Sequence, residues 1–559
     1  MEERTGLGVW SGGRTAGATA AAAGLIAGLT VLGSGGLAVA ASPAPGAAGL
    51  PAETSPPRGS GHIGGATTTA VWHPPGKVSK PPRAAADERL SDLKVALRAS
   101  RSRERRGAVK KLAGLDRKEA WRLVLESLQD PSGEVADEAQ FQLALAPAQS
   151  VLGGLLGRLG LRSKDEWVRL RAAEVLGRRG DPLDGEELLR RVTRRDPRFS
   201  RALLWSIERL AGAELVAGEQ AKIARTLRGL VQARGAAETR AAALSALHAL
   251  DPVLAAPLVR AGLDDRAPQM RAAALGAWEA DRQLGAPPPW ERLAADDELV
   301  VRRAALEVLG RAETRAAAAL LCGRLEVEQR ERLRWRAVEL LRELSGMGYG
   351  LDARSWRHWL ERLEGDPVRG GGPIDEAGGP RTTTLVGLPI LSDRVCFLID
   401  FSGSLWYERE GGRTRKQAVA ERLRETLPAL GEQTRFNLIP YTDRPHPWSD
   451  ELVQATPRNV RRALAWFEDC RESGTGDFYQ AALLALEDPE VDTVVVLTDG
   501  APTGGRRWKL ELLVPALVEV NRYRGAAFDS IVVDAPPRLV EHWRTLARRT
   551  AGRCVAVEL

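Results

Sequence analysis

A helical pattern with a nearly constant period runs through the middle of this 559-residue chain, from Ala86 to Ser345. A usually apolar residue is followed four positions later by a small or apolar one, and four positions after that by another apolar one. This spacing places one apolar stripe on a helix of each copy, and the stripe can be buried only against neighbouring copies. The sequence therefore predicts an all-α solenoid whose copies, 31 to 40 residues apart, begin at Val135, Val168, Phe199, Thr239, Met270, Val301 and Leu333.

Two of these copies have closely similar sequences, at residues 168–177 and 301–310. Both resemble HEAT repeats of the short bacterial type, with a small alanine at the central position, Ala172 and Ala305. The resemblance implies a HEAT-like solenoid, and the usual work of solenoids is to bind proteins along an extended surface. A helical bundle without repeats remains the alternative.

Three separated segments in the last third of the chain carry side chains with hard oxygen donors. Two of these donors are carboxylates and three are hydroxyls. An octahedral cation of the magnesium type prefers such ligands to imidazole or thiolate. The sequence therefore predicts a site for Mg²⁺ or Mn²⁺ at Asp400, Ser402, Ser404, Thr475 and Asp499.

The two carboxylates of this set follow short apolar runs rich in β-forming residues, at 395–399 and 493–497. Such runs predict buried parallel strands. Asp400 and Asp499 then lie just beyond the carboxyl ends of their strands, where open α/β sheets place ligand sites. Further predicted strands alternate with helices, which indicates a doubly wound, mainly parallel sheet covered on both faces.

The order of these motifs and elements over residues 393–559 resembles a von Willebrand factor type A (VWA) domain with its metal-ion-dependent adhesion site. The resemblance implies that three hydroxyls bind the ion directly and that two carboxylates position bound waters. A cation neutralised so weakly can complete its coordination with an acidic side chain of a partner protein. By this resemblance the direct ligands are Ser402, Ser404 and Thr475, and the water-positioning residues are Asp400 and Asp499.

The overall charge gives little support to a nucleic-acid partner. The net charge of +7 results from 80 Lys and Arg against 73 Asp and Glu, so the positive excess is thinly spread. The densest basic stretch, residues 98–111, is interrupted by Glu104 and contains no aromatic side chain on which a base could stack. No nucleic-acid partner is therefore predicted.

The N-terminus has the features of a targeting segment. Residues 15–52 contain no charged side chain, and Ala38-Val39-Ala40 before Ala41 fits the small-residue cleavage site of a signal peptide. The uncharged run is also longer than the roughly 20 residues of a transmembrane helix, so an uncleaved membrane anchor is a second interpretation. A disordered Ala/Gly-rich tail is a third. The first two predict an exported bacterial-type protein in the periplasm or cell envelope, or attached to the membrane.

These patterns divide the chain into five predicted regions. Flexible linkers rich in Pro, Gly and Ala are expected on both sides of the solenoid. Trp356 and Trp359 are expected on a helix that caps the end of the solenoid. The regions are a signal peptide or membrane anchor (1–41), a linker (42–85), a HEAT-like α-solenoid with a terminal cap (86–364), a second linker (365–392) and a VWA domain (393–559).

A catalytic role receives little support from the sequence. A divalent cation could activate water, but the chain has no Gly-x-Ser-x-Gly elbow, no phosphate-binding loop and no His-Glu-x-x-His motif. The prediction is a non-enzymatic adhesion or scaffold protein whose metal site and solenoid both bind protein partners. Two alternatives remain: a metal-dependent hydrolase with a solenoid docking arm, and a co-factor subunit of an ATPase complex of the MoxR or metal-chelatase type.

Overall fold

The computed structural model describes residues 83–115, 117–280, 287–366, 383–406, 412 and 414–558, and all of them belong to one compact unit. The predicted signal peptide or anchor (1–41) and most of the first linker lie outside the described residues. The last three positions of that linker, 83–85, belong to a helix. Within the described part of the chain, no helix is long and apolar enough to cross a membrane.

Residues 83–362 form a stack of α-helices, which we call the helical array. A two-residue parallel pair, β1 (Leu183–Asp184) with β2 (Val216–Ala217), interrupts it once. The helices are α1 (Arg83–Ala96), α2 (Ser102–Ala113), α3 (Lys118–Glu126), α4 (Gly133–Leu145), α5 (Ala148–Leu156), α6 (Glu166–Arg178), α7 (Gly185–Leu189), α8 (Pro197–Gly212), α9 (Gln220–Gln232), α10 (Ala237–Leu250), α11 (Pro252–Gly262), α12 (Pro268–Ala280), α13 (Trp290–Ala294), α14 (Leu299–Arg311), α15 (Arg315–Val327), α16 (Glu331–Ser345) and α17 (Ala353–Arg362).

The even-numbered helices from α2 to α16 form one continuous layer, in which each packs on the next. Seven of these eight helices, from α4 to α16, carry the repeated apolar stripe, and its central residues are buried. In six of these seven helices the central residue is alanine, whose small side chain lets neighbouring helices approach closely, as the period predicts. The predicted all-α array is confirmed, and its assignment to the HEAT type stays a prediction. The buried central residues are Ala139, Ala172, Leu203, Ala243, Ala274, Ala305 and Ala337.

The two tryptophans expected in the cap lie on α17, which packs against α15. Trp356 and Trp359 are both buried, and their rings meet edge to face. The indole N–H of Trp356 donates to the carbonyl of Gly350 at 2.8 Å, so the buried ring keeps its hydrogen bond. The helix covers apolar surface at the end of the array, which is the position expected of a cap.

The remaining residues, 383–558, form an α/β domain. Its main sheet has the order β10-β9-β8-β5-β6-β7, with all neighbours parallel except β6 and β7. The strands are β3 (Thr384–Leu385), β4 (Leu388–Pro389), β5 (Arg394–Asp400), β6 (Arg435–Tyr441), β7 (Val453–Gln454), β8 (Thr493–Thr498), β9 (Ala527–Val533) and β10 (Cys554–Val557), and the helices are α18 (Arg415–Thr426), α19 (Pro457–Asp469), α20 (Phe478–Glu487), α21 (Leu510–Asn521) and α22 (Pro537–Arg549).

Both faces of this sheet are buried, as the apolar runs predict. Successive side chains of a strand point to opposite faces, so Cys396 and Leu398 join one apolar core with α20, α21 and α22. Phe397 and Ile399 join a second core with α18 and α19 on the other face. The predicted doubly wound, mainly parallel α/β fold is confirmed.

The start of the α/β domain differs from the sequence interpretation. Positions 367–382 of the predicted linker 365–392 lie outside the described residues. Its last part forms the antiparallel pair of β3 and β4, and Leu385, Leu388 and Ile390 are buried in the core beside α18 and α19. We propose that the domain begins near residue 383, because this pair contributes apolar side chains to its core.

One face of the helical array contacts the α/β domain through hydrogen bonds and ion pairs. Two of the ion pairs are Arg522 with Glu208 at 2.8 Å and Arg553 with Glu339 at 2.6 Å. The guanidinium of Arg201 also donates to the carbonyl of Glu519 at 2.6 Å. The layer of even-numbered helices therefore has the chain's own α/β domain as a neighbour. Any contact between a protein partner and the array would use the rest of its surface.

Candidate metal site

Two of the predicted site residues lie at the same edge of the sheet. Strands β5 and β8 are parallel neighbours in the middle of the sheet, so their carboxyl ends meet. Asp400 is the last residue of β5, and Asp499 directly follows β8. The hydroxyl of Thr498 donates to Oδ2 of Asp400 at 3.0 Å, which joins the two strand ends directly.

Asp400 is a buried carboxylate, only 4% exposed. The backbone N–H of Ser402 donates to its Oδ1 at 2.9 Å and fixes its orientation. Burial, reinforced by the charge of nearby Asp499, raises the pKa of Asp400 to about 6. A cation placed between Asp400 and Asp499 would favour the charged forms of both carboxylates, so their proximity fits a positively charged ligand.

The loop that carries Thr475 reaches the other two loops of the site. Ser402 and Gly474 pair in a parallel β-bridge. The N–H of Gly476 donates to Oγ1 of Thr503 at 2.7 Å, and the N–H of Thr503 donates back to the carbonyl of Gly476 at 3.2 Å. The three segments singled out in the sequence therefore meet in one place, although 98 residues separate Asp400 from Thr498.

Two glycines allow this close approach. A methyl group on Gly476 would lie 3.0 Å from Oδ1 of Asp400, closer than most side chains tolerate. A methyl group on Gly504 would collide with Oγ1 of Thr475. Thr475 itself is exposed to solvent, while the loop behind it is tightly packed.

Ser404 belongs to a short 3-10 helix, Gly403–Trp406, but its side chain lies outside the described residues. Trp406, two positions later, packs edge to face on Phe401 with ring centroids 6.1 Å apart. The ammonium group of Lys416 lies 5.1 Å from the Trp406 ring. The structure thus brings together Asp400, Ser402, Thr475 and Asp499, and the ligand assignment itself stays a prediction.

Sequence reasoning missed an ion pair at the edge of this site. The guanidinium of Arg415 lies 3.4 Å from Oδ2 of Asp499 and 3.1 Å from Oδ2 of Asp534. Asp534 directly follows β9, so the strand-end rule that singled out Asp400 and Asp499 could have found it. Arg415 had no such signal, because it lies at the start of α18 after residues that resemble an ordinary helix beginning.

Two further carboxylates next to the Thr475 loop were also missed. Asp477 is 8% exposed and accepts a hydrogen bond from the N–H of Gln480 at 3.1 Å, which caps α20. Burial, followed by the charge of Asp443, raises the pKa of Asp477. A methyl group on Gly474 would lie 3.1 Å from Oδ1 of Asp443. Acidic side chains thus lie beside the Thr475 loop as well as at the strand ends, which favours a cation there.

The carboxylates of the site do not form a cluster of their own. Among the residues that the structure describes, no group of three or more His, Cys, Asp or Glu side chains is arranged to hold a metal ion. The predicted set has two carboxylates, and its other donors are hydroxyls. The fit to a cation therefore depends on the mixed donor set and on two neighbouring carboxylates, the buried Asp400 and the partly exposed Asp499.

Comparison with known proteins supports the predicted resemblance. The chain is 34% identical over 130 residues, 21% of its length, to mouse inter-alpha-trypsin inhibitor heavy chain 4. It is 26% identical over 166 residues, 29% of its length, to human von Willebrand factor A domain-containing protein 3A. A solved von Willebrand factor type A structure from Catenulispora acidiphila covers 30% of this chain and 39% of its own chain, at 17% identity and a TM-score of 0.25.

The similarity is confined to a small part of each relative. The chain spans 13% of the length of the two curated relatives. No family model matches it. The curated matches confirm the resemblance of this chain to VWA proteins. Because only a small part of each relative is matched, the activities and partners of those longer proteins are not assigned to this chain.

Proposed function

Proceeding from the resemblance to VWA proteins, we propose that this chain binds a protein partner through a divalent cation at the carboxyl edge of its sheet. The observation that carries the proposal is the meeting of three separate loops at one place, joined by the Ser402–Gly474 bridge and by the hydrogen bond from Thr498 to Asp400. The proposed ion is Mg²⁺ or Mn²⁺, and the proposed site residues are Asp400, Ser402, Ser404, Thr475 and Asp499.

Each residue has a distinct role in this proposal. The hydroxyls of Ser402, Ser404 and Thr475 offer neutral oxygen donors, while Asp400 and Asp499 orient waters around the ion. Bound Mg²⁺ would supply a positive charge with one coordination position open to an acidic side chain of the partner. The backbone N–H of Ser402 and the hydroxyl of Thr498 hold the Asp400 carboxylate in place.

The cellular setting is part of the proposal. The uncharged N-terminal run supports export to the periplasm or cell envelope, with membrane attachment if the run is not cleaved. The thinly spread positive charge argues against a nucleic-acid partner. We therefore propose an exported adhesion or scaffold protein without an enzymatic activity of its own.

A calorimetric Mg²⁺ titration of the full chain tests the metal site. Thr475→Ala removes one exposed hydroxyl and no core contact, so we expect wild-type thermal stability and Mg²⁺ affinity weakened at least about tenfold. Thr226→Ala, an equal change at an exposed position on α9, is the matched control and should leave Mg²⁺ affinity unchanged. Equal Mg²⁺ affinity in wild type and Thr475→Ala would remove Thr475 from the site.

A second experiment tests whether the ion serves partner binding. Immobilised full-length protein is incubated with envelope extract of its host in Mg²⁺ or in chelator, and captured proteins are quantified. We expect a partner that is retained with Mg²⁺, lost with chelator and lost with Thr475→Ala even when Mg²⁺ is present. A partner retained equally in all three conditions would place protein binding on another surface.

A further inference from the structure

The loop that follows Asp499 continues directly into a segment that is hydrogen-bonded to the helical array. We call residues 505–509 the docking segment. Its Arg507 side chain is 0% exposed although it carries a permanent charge. Charged side chains are fully buried only when they are paired and hydrogen-bonded. The contact of Arg507 with the helical array is therefore expected to be a specific one.

Helices α4 and α6 of the array supply the partners of Arg507. Its guanidinium donates to Oε1 of Gln140 at 3.0 Å and to Oε1 of Glu174 at 2.5 Å. Gln140 is 0% exposed and also donates to Glu174, at 2.7 Å. The arginine is thus fixed at both of its terminal nitrogens, and its fork geometry defines the position of its own backbone.

The backbone of the docking segment is held by the same two helices. Oδ2 of Asp137 accepts hydrogen bonds from the N–H groups of Trp508, at 2.6 Å, and Lys509, at 2.8 Å. Arg171 donates to the carbonyl of Arg506 and also pairs with Asp137. Asp137 and Arg171 are 0% and 1% exposed. The array therefore satisfies backbone groups that would otherwise be buried without a partner.

At its other end the docking segment adjoins the candidate metal site. A methyl group on Gly505, whose φ is +85°, would collide with the carboxylate of Asp477. Gly504, one residue earlier, leaves room for no more than a hydrogen beside the hydroxyl of Thr475. On the opposite side, a methyl on Gly133 of α4 would collide with the carbonyl of Gly505. The loop is thus packed tightly between the array and the Thr475 loop.

We propose that the helical array positions the third loop of the metal site through Arg507, so that metal affinity depends on the contact of Arg507 with α4 and α6. The inference rests on the proposed metal site. Arg507 is a positioning residue, because it acts on Thr475 and Asp499 through the backbone of residues 500–506. Coupling of this kind is reciprocal, so metal binding stabilises the contact of the docking segment with the array.

A second arginine of the same interface, whose side chain is 31% exposed, offers a comparison. Arg522, at the end of α21, pairs with Glu208 at 2.8 Å and 3.0 Å and donates to Oγ of Ser245 at 2.9 Å. It joins the same two parts of the molecule but does not adjoin a loop of the metal site. If interface arginines only hold the two parts together, the loss of Arg507 and the loss of Arg522 should affect the site equally.

The test is a calorimetric Mg²⁺ titration of the full chain with Arg507→Met and with Arg522→Met. We expect Arg507→Met to weaken Mg²⁺ binding about tenfold and Arg522→Met to leave it within about twofold of wild type. Thermal unfolding should shift to lower temperature in both variants, because Arg507→Met leaves the buried Glu174, and Arg522→Met the half-buried Glu208, without its ion-pair partner. Arg507→Lys, which keeps the charge near Glu174, should recover part of the affinity.

Two results would overturn the inference in distinguishable ways. Wild-type Mg²⁺ affinity in Arg507→Met, or equal weakening in both variants, would show that the docking segment does not position the site. Absence of Mg²⁺ binding in the wild-type chain would instead defeat the proposed metal site and, with it, this inference.

A measurement on the wild-type chain covers the case in which Arg507→Met does not fold. Amide hydrogen exchange of Trp508 and Lys509, whose N–H groups donate to Asp137, is followed without and with saturating Mg²⁺. Reciprocal coupling predicts slower exchange of these two amides with Mg²⁺ and unchanged exchange at Arg524 and Gly525, which follow α21. Unchanged exchange at Trp508 and Lys509 would count against the proposal.

Discussion

At the scale of single residues, the candidate site depends as much on absent side chains as on its ligands. Gly476 and Gly504 let backbone lie directly against Asp400 and Thr475. A glycine used for close approach acts by leaving space, so its replacement should misplace the neighbouring ligand without removing any ligand atom.

Gly504→Ala tests this use of glycine. The new methyl group would collide with Oγ1 of Thr475, so we expect Mg²⁺ affinity to fall about tenfold or more while the domain stays folded. Gly403→Ala is the matched control, because a methyl group at Gly403 would meet no atom within 4 Å. Calorimetry and circular dichroism of both variants provide the measurement. A Gly504→Ala variant with wild-type affinity would mean that Thr475 moves freely and is not held by this loop.

At the scale of secondary-structure elements, most of the α/β domain follows from local sequence. The sequence predicts strands at 435–441 and 554–557, and strands β6 and β10 have these bounds. Helix α19 was missed, although its start carries a recognisable signal, with Thr456 accepting a hydrogen bond from Asn459 N–H and proline at the next position. The sequence predicts a linker over the residues that form β3 and β4, because two-residue strands show no detectable alternation of apolar and polar residues.

Strands β5 and β8 hold site residues at their carboxyl ends, whereas the side chains along the strands are buried in the two cores. A substitution within either strand should therefore lower the stability of the domain, whereas a substitution in the loops should lower metal affinity. Val495 in β8 is 1% exposed. Val495→Asp buries an unpaired charge and should lower the free energy of unfolding by about 4 kcal/mol or more. Val253 on α11 is 85% exposed, so the control substitution Val253→Asp should change the free energy of unfolding very little. Chemical denaturation measures the free energy of unfolding of both variants. Near-wild-type stability of Val495→Asp would contradict the buried position of β8.

At the scale of the whole molecule, the array and the α/β domain have to be considered together. Their contacts range from Arg507 with Glu174 to Arg553 with Glu339. Buried ion pairs are costly to separate once formed, because each partner would be left charged without compensation. The two parts should therefore remain associated even when the chain between them is cut.

A protease site inserted within residues 367–382 tests this association. After complete cleavage, we expect the two fragments to co-elute in gel filtration at about micromolar concentration. The same cleaved chain carrying both Arg507→Met and Arg522→Met should elute as two separate fragments. Separation of the cleaved wild-type chain would show that the interface is too weak to hold the domains without a covalent connection.

The sequence by itself determined the helical array and the parallel sheet, because these depend on local periodicity, and it predicted a site at Asp400, Ser402, Ser404, Thr475 and Asp499 from the types of their side chains and the order of their motifs. Only the tertiary structure decided that the loop after Asp499 docks on α4 and α6. The contact between Arg171 and Arg506 joins residues 335 positions apart. Such a pair leaves no periodic trace along the chain, since its partners are specified by charge and shape across two surfaces that local sequence folds independently.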